Sequence, residues 1–229
     1  MARNTKPSAP ESVLVVGLGR FGGAVAESLV RLGHDVLGID EDPVLVQRWA
    51  NELTHVVQAD STDEEALRQV GAASFDRAVV GIGTDVEASV LTVLTLTQLG
   101  VHDVWAKAIT RKHGQILERV GADHVVFPET AMGERVAHLV TGAMIDYIEF
   151  DDGFSIARTK APAESIGKTL ADSALRSKYG VTVVGVKRSG EDFSYARPET
   201  QVHGRDELIV SGATPQVERF CALNHLGAD

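Results

Sequence analysis

From Val13 onward the chain alternates short apolar runs with amphipathic stretches. Val13, Leu14, Val15 and Val16 form a continuous apolar run, the pattern of a parallel strand buried on both faces. Ala24, Val25, Ala26, Leu29 and Val30 then recur at helical spacing, and the pattern stops at Gly33. The same alternation continues with strands expected over residues 35–39, 55–59, 76–82, 104–109 and 124–127. Asp42 suits the N-cap of a helix over about 43–53, with Pro43 at its first position. Thr62 with Glu65, and Thr84 with Glu87, read as capping boxes that open two more helices. Helices over about 112–120 and 130–144 follow. This alternation predicts an α/β fold, a Rossmann-like doubly wound parallel sheet.

Beyond residue 144 the rhythm changes. Short strands are expected over 146–150 and 154–159, around the turn Asp151-Asp152-Gly153. One helix is expected over 170–179, closed by Gly180, then a hairpin of strands 181–187 and 192–196. A strand over 208–210 and a helix over 215–223 complete a small α+β domain. The expected division is a disordered tail over 1–11, a nucleotide-binding domain over 12–144 and a second domain over 145–224.

Composition narrows the function classes. The formal charge of −10 argues against a nucleic-acid surface, which needs a basic stripe. The single cysteine, Cys221, excludes an internal disulfide and fits a reducing compartment. No stretch approaches the ~20 apolar residues of a transmembrane helix, and the first residues lack the apolar core of a signal peptide. A cytoplasmic protein is expected. There is no G-x-S-x-G elbow, H-E-x-x-H pair or G-x-x-x-x-G-K-[ST] loop, and the eight histidines are scattered.

The chemistry that is present sits after the first strand. Gly17, Gly19 and Gly22 give the spacing G-x-G-x-x-G, which allows a tight turn, a close approach to phosphate and close helix packing. Arg20 and Phe21 lie inside this loop, and a guanidinium there suits phosphate. Asp40 ends the second strand, where this fold places an acceptor for ribose hydroxyls; its charge opposes a 2′-phosphate and so disfavours NADP. Asp60, Ser61, Gly81 and Lys107 fall on or near the same carboxyl edge of the sheet. Asp60 reads equally well as a ribose or base ligand and as an exposed strand end. Glu129 follows Pro128 at a helix start, where the helix dipole alone favours a carboxylate.

Several short motifs match one family in order: Gly-Leu-Gly-Arg-Phe-Gly from Gly17, Ala-Asp-Ser-Thr around Asp60, Ala-Lys-Ala around Lys107, Val-Gly-Ala-Asp ending at Asp123, Phe-Pro-Glu ending at Glu129, Ala-Met-Gly from Ala131 and Arg-Ser-Lys-Tyr-Gly from Arg176. Together they resemble the regulatory RCK-domain (regulator of potassium conductance) subunits of Ktr/Trk potassium uptake systems, the Ktr type most of all. The resemblance implies an RCK N-lobe binding ATP or ADP, with NAD(H) served by the same fingerprint, and an RCK C-lobe. It implies that Arg20 meets phosphates, partly across a dimer interface, and that Asp40, Asp60 and Lys107 hold ribose and base. Glu129 would lie near the dimer axis and take a cation such as Mg²⁺ or Ca²⁺. The homo-dimers would assemble into an octameric ring under a membrane-embedded potassium channel subunit, at the inner face of the cell membrane. Some C-lobes of this type bind cyclic di-AMP; by position Leu170 and Leu175 would contact the bases, Arg176 the phosphates and Thr182 a base edge, with Pro198 nearby on a later strand. Ala174 departs from the polar residue that related subunits carry. The alternative class is an NAD-dependent oxidoreductase or other nucleotide-using enzyme, for which the small second domain offers no catalytic constellation.

Overall fold

The computed structural model describes residues 11–140, 144–150 and 153–223. Residues 1–10 of the expected tail, and Asp151-Asp152 of the expected turn, lie outside the described residues. The chain forms two compact units that divide between Glu129 and Thr130.

The first unit runs β1 (Ser12–Val16), α1 (Arg20–Arg31), β2 (Asp35–Asp40), α2 (Pro43–Trp49), β3 (His55–Gln58), α3 (Glu64–Gln69), β4 (Arg77–Val80), α4 (Val86–Gln98), β5 (Asp103–Lys107), α5 (Arg111–Val120) and β6 (His124–Val126). Its six strands are parallel, in the order β3-β2-β1-β4-β5-β6. The apolar run of β1 serves both faces. Leu14 and Val16 join a core with Leu96 of α4 and Leu117 of α5, while Val13 and Val15 pack with Ala26 of α1 and Trp49 of α2. Strand order reverses between β1 and β4, so the sheet has its switch point, and therefore its ligand crevice, beyond the carboxyl ends of these two strands.

The helix starts refine the sequence reading. Asp42 caps α2 as expected, accepting from Val44 N–H at 2.8 Å. The capping boxes shift by one residue: Asp63 caps α3 and Asp85 caps α4, in place of Thr62 and Thr84. A carboxylate reaches the free N–H groups of the first turn and adds favourable charge against the helix dipole.

In the second unit α6 (Pro128–Val140), which spans the division, is followed by β7 (Asp146–Phe150), β8 (Phe154–Lys160), α7 (Leu170–Ser173), α8 (Leu175–Tyr179), β9 (Thr182–Lys187), β10 (Ser194–Tyr195), β11 (Glu207–Ala213) and α9 (Thr214–Ala222). The strands form an antiparallel sheet in the order β10-β9-β11-β8-β7. Leu208, Val210, Val217 and Phe220 fill its core. Cys221 is buried there, and burial pushes its thiol up to about 11, so it packs as an inert small apolar group. The single helix expected over 170–179 is two short helices, broken at Ala174, which adopts φ of +52°. Among the described residues no helix is long and apolar enough to cross a membrane.

Two outcomes follow from this packing. A Cβ on Gly22 would lie 1.8 Å from the carbonyl oxygen of Gly17, so Gly22→Ala is expected to cost about 3 kcal/mol or more in chemical denaturation. In the second unit Asp206 is buried, accepts from Arg188 Nε at 2.8 Å and Nη2 at 3.0 Å, and accepts from His203 N–H at 2.9 Å. The Arg188 hydrogen bonds hold its carboxyl below the ordinary value of 3.8. A folded-state value below the unfolded one stabilises at higher pH and is lost as pH falls through the depressed value. Thermal melts should therefore show Asp206→Asn less stable than wild type at neutral pH. That difference should close as acid protonates Asp206 in the wild type.

Candidate functional site

The crevice is built by the turn after β1. Gly17 takes φ of +86°, and its N–H donates to the carbonyl of Ile39 at 2.8 Å. The absence of a side chain on Gly22 lets α1 close onto that turn. Gly81 approaches from β4, its N–H donating to the Val16 carbonyl at 2.7 Å, and a Cβ there would lie 2.9 Å from the Gly17 oxygen. Gly23, which the motif does not include, is as constrained: a Cβ would fall 2.3 Å from the Trp49 ring. That ring is fixed by its Nε1–H, which donates to the Leu18 carbonyl at 2.9 Å.

Gly19 differs from these. It is the N-cap of α1, contributes no side-chain cap, and has nothing within 4 Å of where a Cβ would stand. The first turn of α1 holds no acidic residue. Unpaired N–H groups and the positive end of the helix dipole thus meet open space, a cradle that fits the phosphate of a nucleotide.

Asp40 clamps this loop. Its Oδ2 accepts from Leu18 N–H at 2.6 Å, and its Oδ1 from Asp42 N–H at 2.9 Å. Each carboxylate oxygen keeps capacity for a further donor, so the clamp leaves room for a ribose hydroxyl. Asp60 is exposed; its Oδ1 accepts from Thr62 N–H at 2.8 Å and Oγ1–H at 2.7 Å, which holds its carboxyl below the ordinary 3.8. Ser61 is buried, and its hydroxyl pairs with that of Thr92 on α4 at 2.8 Å. The side chain of Ser61 therefore ties the loop to α4.

The charged side of the crevice comes from β5 and α6. Lys107 Nζ donates to Glu129 Oε1 at 2.6 Å; the lysine side chain is 12% exposed and the glutamate side chain 65%. The ammonium sits 5.8 Å from the centroid of the Phe21 ring, and a Cβ on Gly83 would lie 3.0 Å from Nζ. The Lys107 hydrogen bond, then the backbone N–H of Glu129 itself and the charges of Lys107 and Arg20, hold the Glu129 carboxyl below 4.5. Arg20 is exposed and has no hydrogen bond or ion pair among the described residues. Arg20, Phe21, Lys107 and Glu129 are thus brought together across sequence distances that no motif spans. The Lys107–Glu129 pairing and the role of Gly83 were not read from the sequence. An otherwise unexplained lysine at a strand end was the one signal for them. Among the described residues no group of three or more His, Cys, Asp or Glu side chains could hold a metal ion, at Glu129 or elsewhere.

In the second unit the expected residues scatter. Leu170 is half-buried against the core, and Leu175 is 2% exposed within it, turned away from any surface ligand. Leu175 follows the break at Ala174 and points inward, and Arg176 next to it points outward. Arg176 is exposed without a hydrogen bond or ion pair among the described residues. Thr182 is half-buried on β9 opposite Ser211. Pro198 lies in a turn after β10, not on a strand, and its carbonyl accepts from Ala171 N–H at 3.0 Å. A separate open pocket of about 610 Å³ is lined by residues that include Arg188, Phe193, Tyr195 and Arg197, and none of the five expected residues lines it.

Comparison with known proteins agrees with this architecture. The family model of the TrkA-N domain matches residues 13–128, and that of the TrkA-C domain matches residues 155–225. The chain is 39% identical over 207 residues to the Ktr system potassium uptake protein C of Bacillus subtilis, covering 90% of this chain and 94% of that one. It is 35% identical to the Ktr system potassium uptake protein A of the same organism, covering 90% and 93%. Among solved structures, the GsuK RCK domain shares the fold, with a TM-score of 0.64 at 19% identity, covering 95% of this chain and 48% of that one. The chain therefore belongs to the RCK-domain family, TrkA-N followed by TrkA-C, that includes the Ktr and Trk potassium-uptake proteins.

Proposed function

We propose that this chain is the nucleotide-sensing, non-catalytic gating subunit of a potassium uptake system. The observation that carries the reading is the convergence of Arg20 and Lys107 on the open, uncapped N-terminus of α1. In this reading the phosphates of ATP or ADP lie on the N–H groups of Gly19 to Phe21 and against the two cations. Asp40 accepts from the ribose, and its charge opposes the 2′-phosphate of NADP. The chain works as a homo-dimer within an octameric ring, on the cytoplasmic side of a membrane-embedded channel subunit, and the state of the nucleotide sets the ring's conformation. In the dimer a Mg²⁺ or Ca²⁺ ion lies between Glu129 carboxylates and the bound phosphates, because one carboxylate alone supplies too few oxygen ligands for either ion.

Calorimetry with ATP, ADP, NADH and NADPH tests the N-lobe. ATP and ADP should bind, NADPH should bind more weakly, and Lys107→Met should weaken ATP about tenfold or more, the loss of a charge-assisted hydrogen bond. Absence of binding by any of the four would overturn the reading.

For the C-lobe we propose a second ligand, cyclic di-AMP, supported by the exposed Arg176, which has no hydrogen bond or ion pair among the described residues, and by the hydrogen bond that ties Ala171 to Pro198. Titration of the full chain should show binding that Arg176→Ala weakens about tenfold. Binding untouched by that substitution would place the ligand elsewhere, and no binding at high ligand concentration would remove it.

A further inference from the structure

We infer that Glu129 serves as an internal stand-in for a nucleotide phosphate, holding Lys107 until a phosphate of sufficient reach displaces it. The inference rests on the glycine loop taking a nucleotide, as proposed above.

Lys107 carries its ammonium at a site that is 12% exposed, beside the Phe21 ring and the backbone of Gly83. A cation held there without a counter-charge is costly. Glu129 supplies the counter-charge at 2.6 Å and is the one hydrogen-bonding partner of Nζ among the described residues. The two ends of this ion pair are unequal. Lys107 is fixed on a strand of the sheet, whereas Glu129 is 65% exposed on the first turn of α6. Swinging the carboxylate into water therefore costs little, while moving the ammonium would disturb the crevice. The charge of Arg20 adds, more weakly than Lys107, to what holds the Glu129 carboxylate ionised.

An anion that reaches this place must exchange for Glu129, and one that stops short leaves the pair intact. The exchange makes affinity depend on the length of the phosphate chain. A nucleoside without phosphates pays nothing and gains nothing from Lys107; a longer chain takes over the ammonium and releases the start of α6. Because the released residue lies where the two units divide, it ties the phosphate count to the helix that leads into the second unit.

The test is calorimetry on the full chain in metal-free buffer with chelator, which removes any bridging cation. Wild type, Glu129→Gln and Glu129→Ala are each titrated with adenosine, ADP and ATP. Removing the competitor should tighten ATP about three- to five-fold, the range of a partly exposed ion pair, in both variants and leave adenosine unchanged. Equal or weaker ATP binding in both variants would overturn the inference while leaving the nucleotide site standing. An equal gain for adenosine would overturn it too, since the effect would then be unrelated to phosphate. Failure of ATP to bind any form, wild type included, would instead remove the nucleotide reading and the inference with it.

Discussion

Everything in the first unit depends on how closely α1 is pressed onto the turn after β1. The contact admits no Cβ at Gly22, almost none at Gly17 and Gly81, and none at Gly23 against the Trp49 ring. These approaches fix the direction of α1, and with it the direction of the free N–H groups at its start. The loop is then held from a second side by Asp40, which takes the Leu18 N–H at 2.6 Å. The carboxylate that ends β2 thus also sets the geometry of the turn after β1. The end of one strand and the start of α1 are coupled through this short hydrogen bond.

How much of this could be read from the sequence follows the range of the interactions. The strand–helix alternation, the glycine spacing and Asp40 are local or motif-based, and the first sheet is parallel as expected. The starts of α3 and α4 were legible to within a residue, because Thr and Asp are both good caps and adjacent in Thr62-Asp63 and Thr84-Asp85, whereas α6 starts at Pro128, two residues before its expected start. What was not legible depends on the third dimension. Ser61 turns inward because Thr92, far along the chain, offers its hydroxyl a partner. Leu175 turns inward directly after Ala174, which takes a left-handed conformation that no rule of helix propensity anticipates for alanine.

The charges of the crevice follow one logic. The chain carries a formal charge of −10, so positive charge in the crevice is a local feature. Lys107 and Arg20 supply it, beside a helix start left free of acidic residues. Elsewhere the structure places carboxylates at helix starts freely, at Asp42, Asp63 and Asp85. α5 also starts without a carboxylate, but Thr110 caps it through the His113 N–H; α1, with neither a carboxylate nor a side-chain cap, is the open helix start of α1–α5.

The second unit shows the same economy by a different route. Ala174 accepts a conformation that costs an L-residue about 1–2 kcal/mol, and the break it makes has a definite consequence. Leu170 and Ala171, in the first turn of α7, donate their free N–H groups to Thr200 and Pro198, and after the break Leu175 anchors α8 in the core. Arg176 is then presented outward from a backbone fixed on both sides. Local strain of this kind persists where the surroundings over-determine it, and here the surroundings are the core on one side and the 198–200 turn on the other. Arg176 thus follows directly on a residue anchored in the core, while its own side chain stays exposed at the surface.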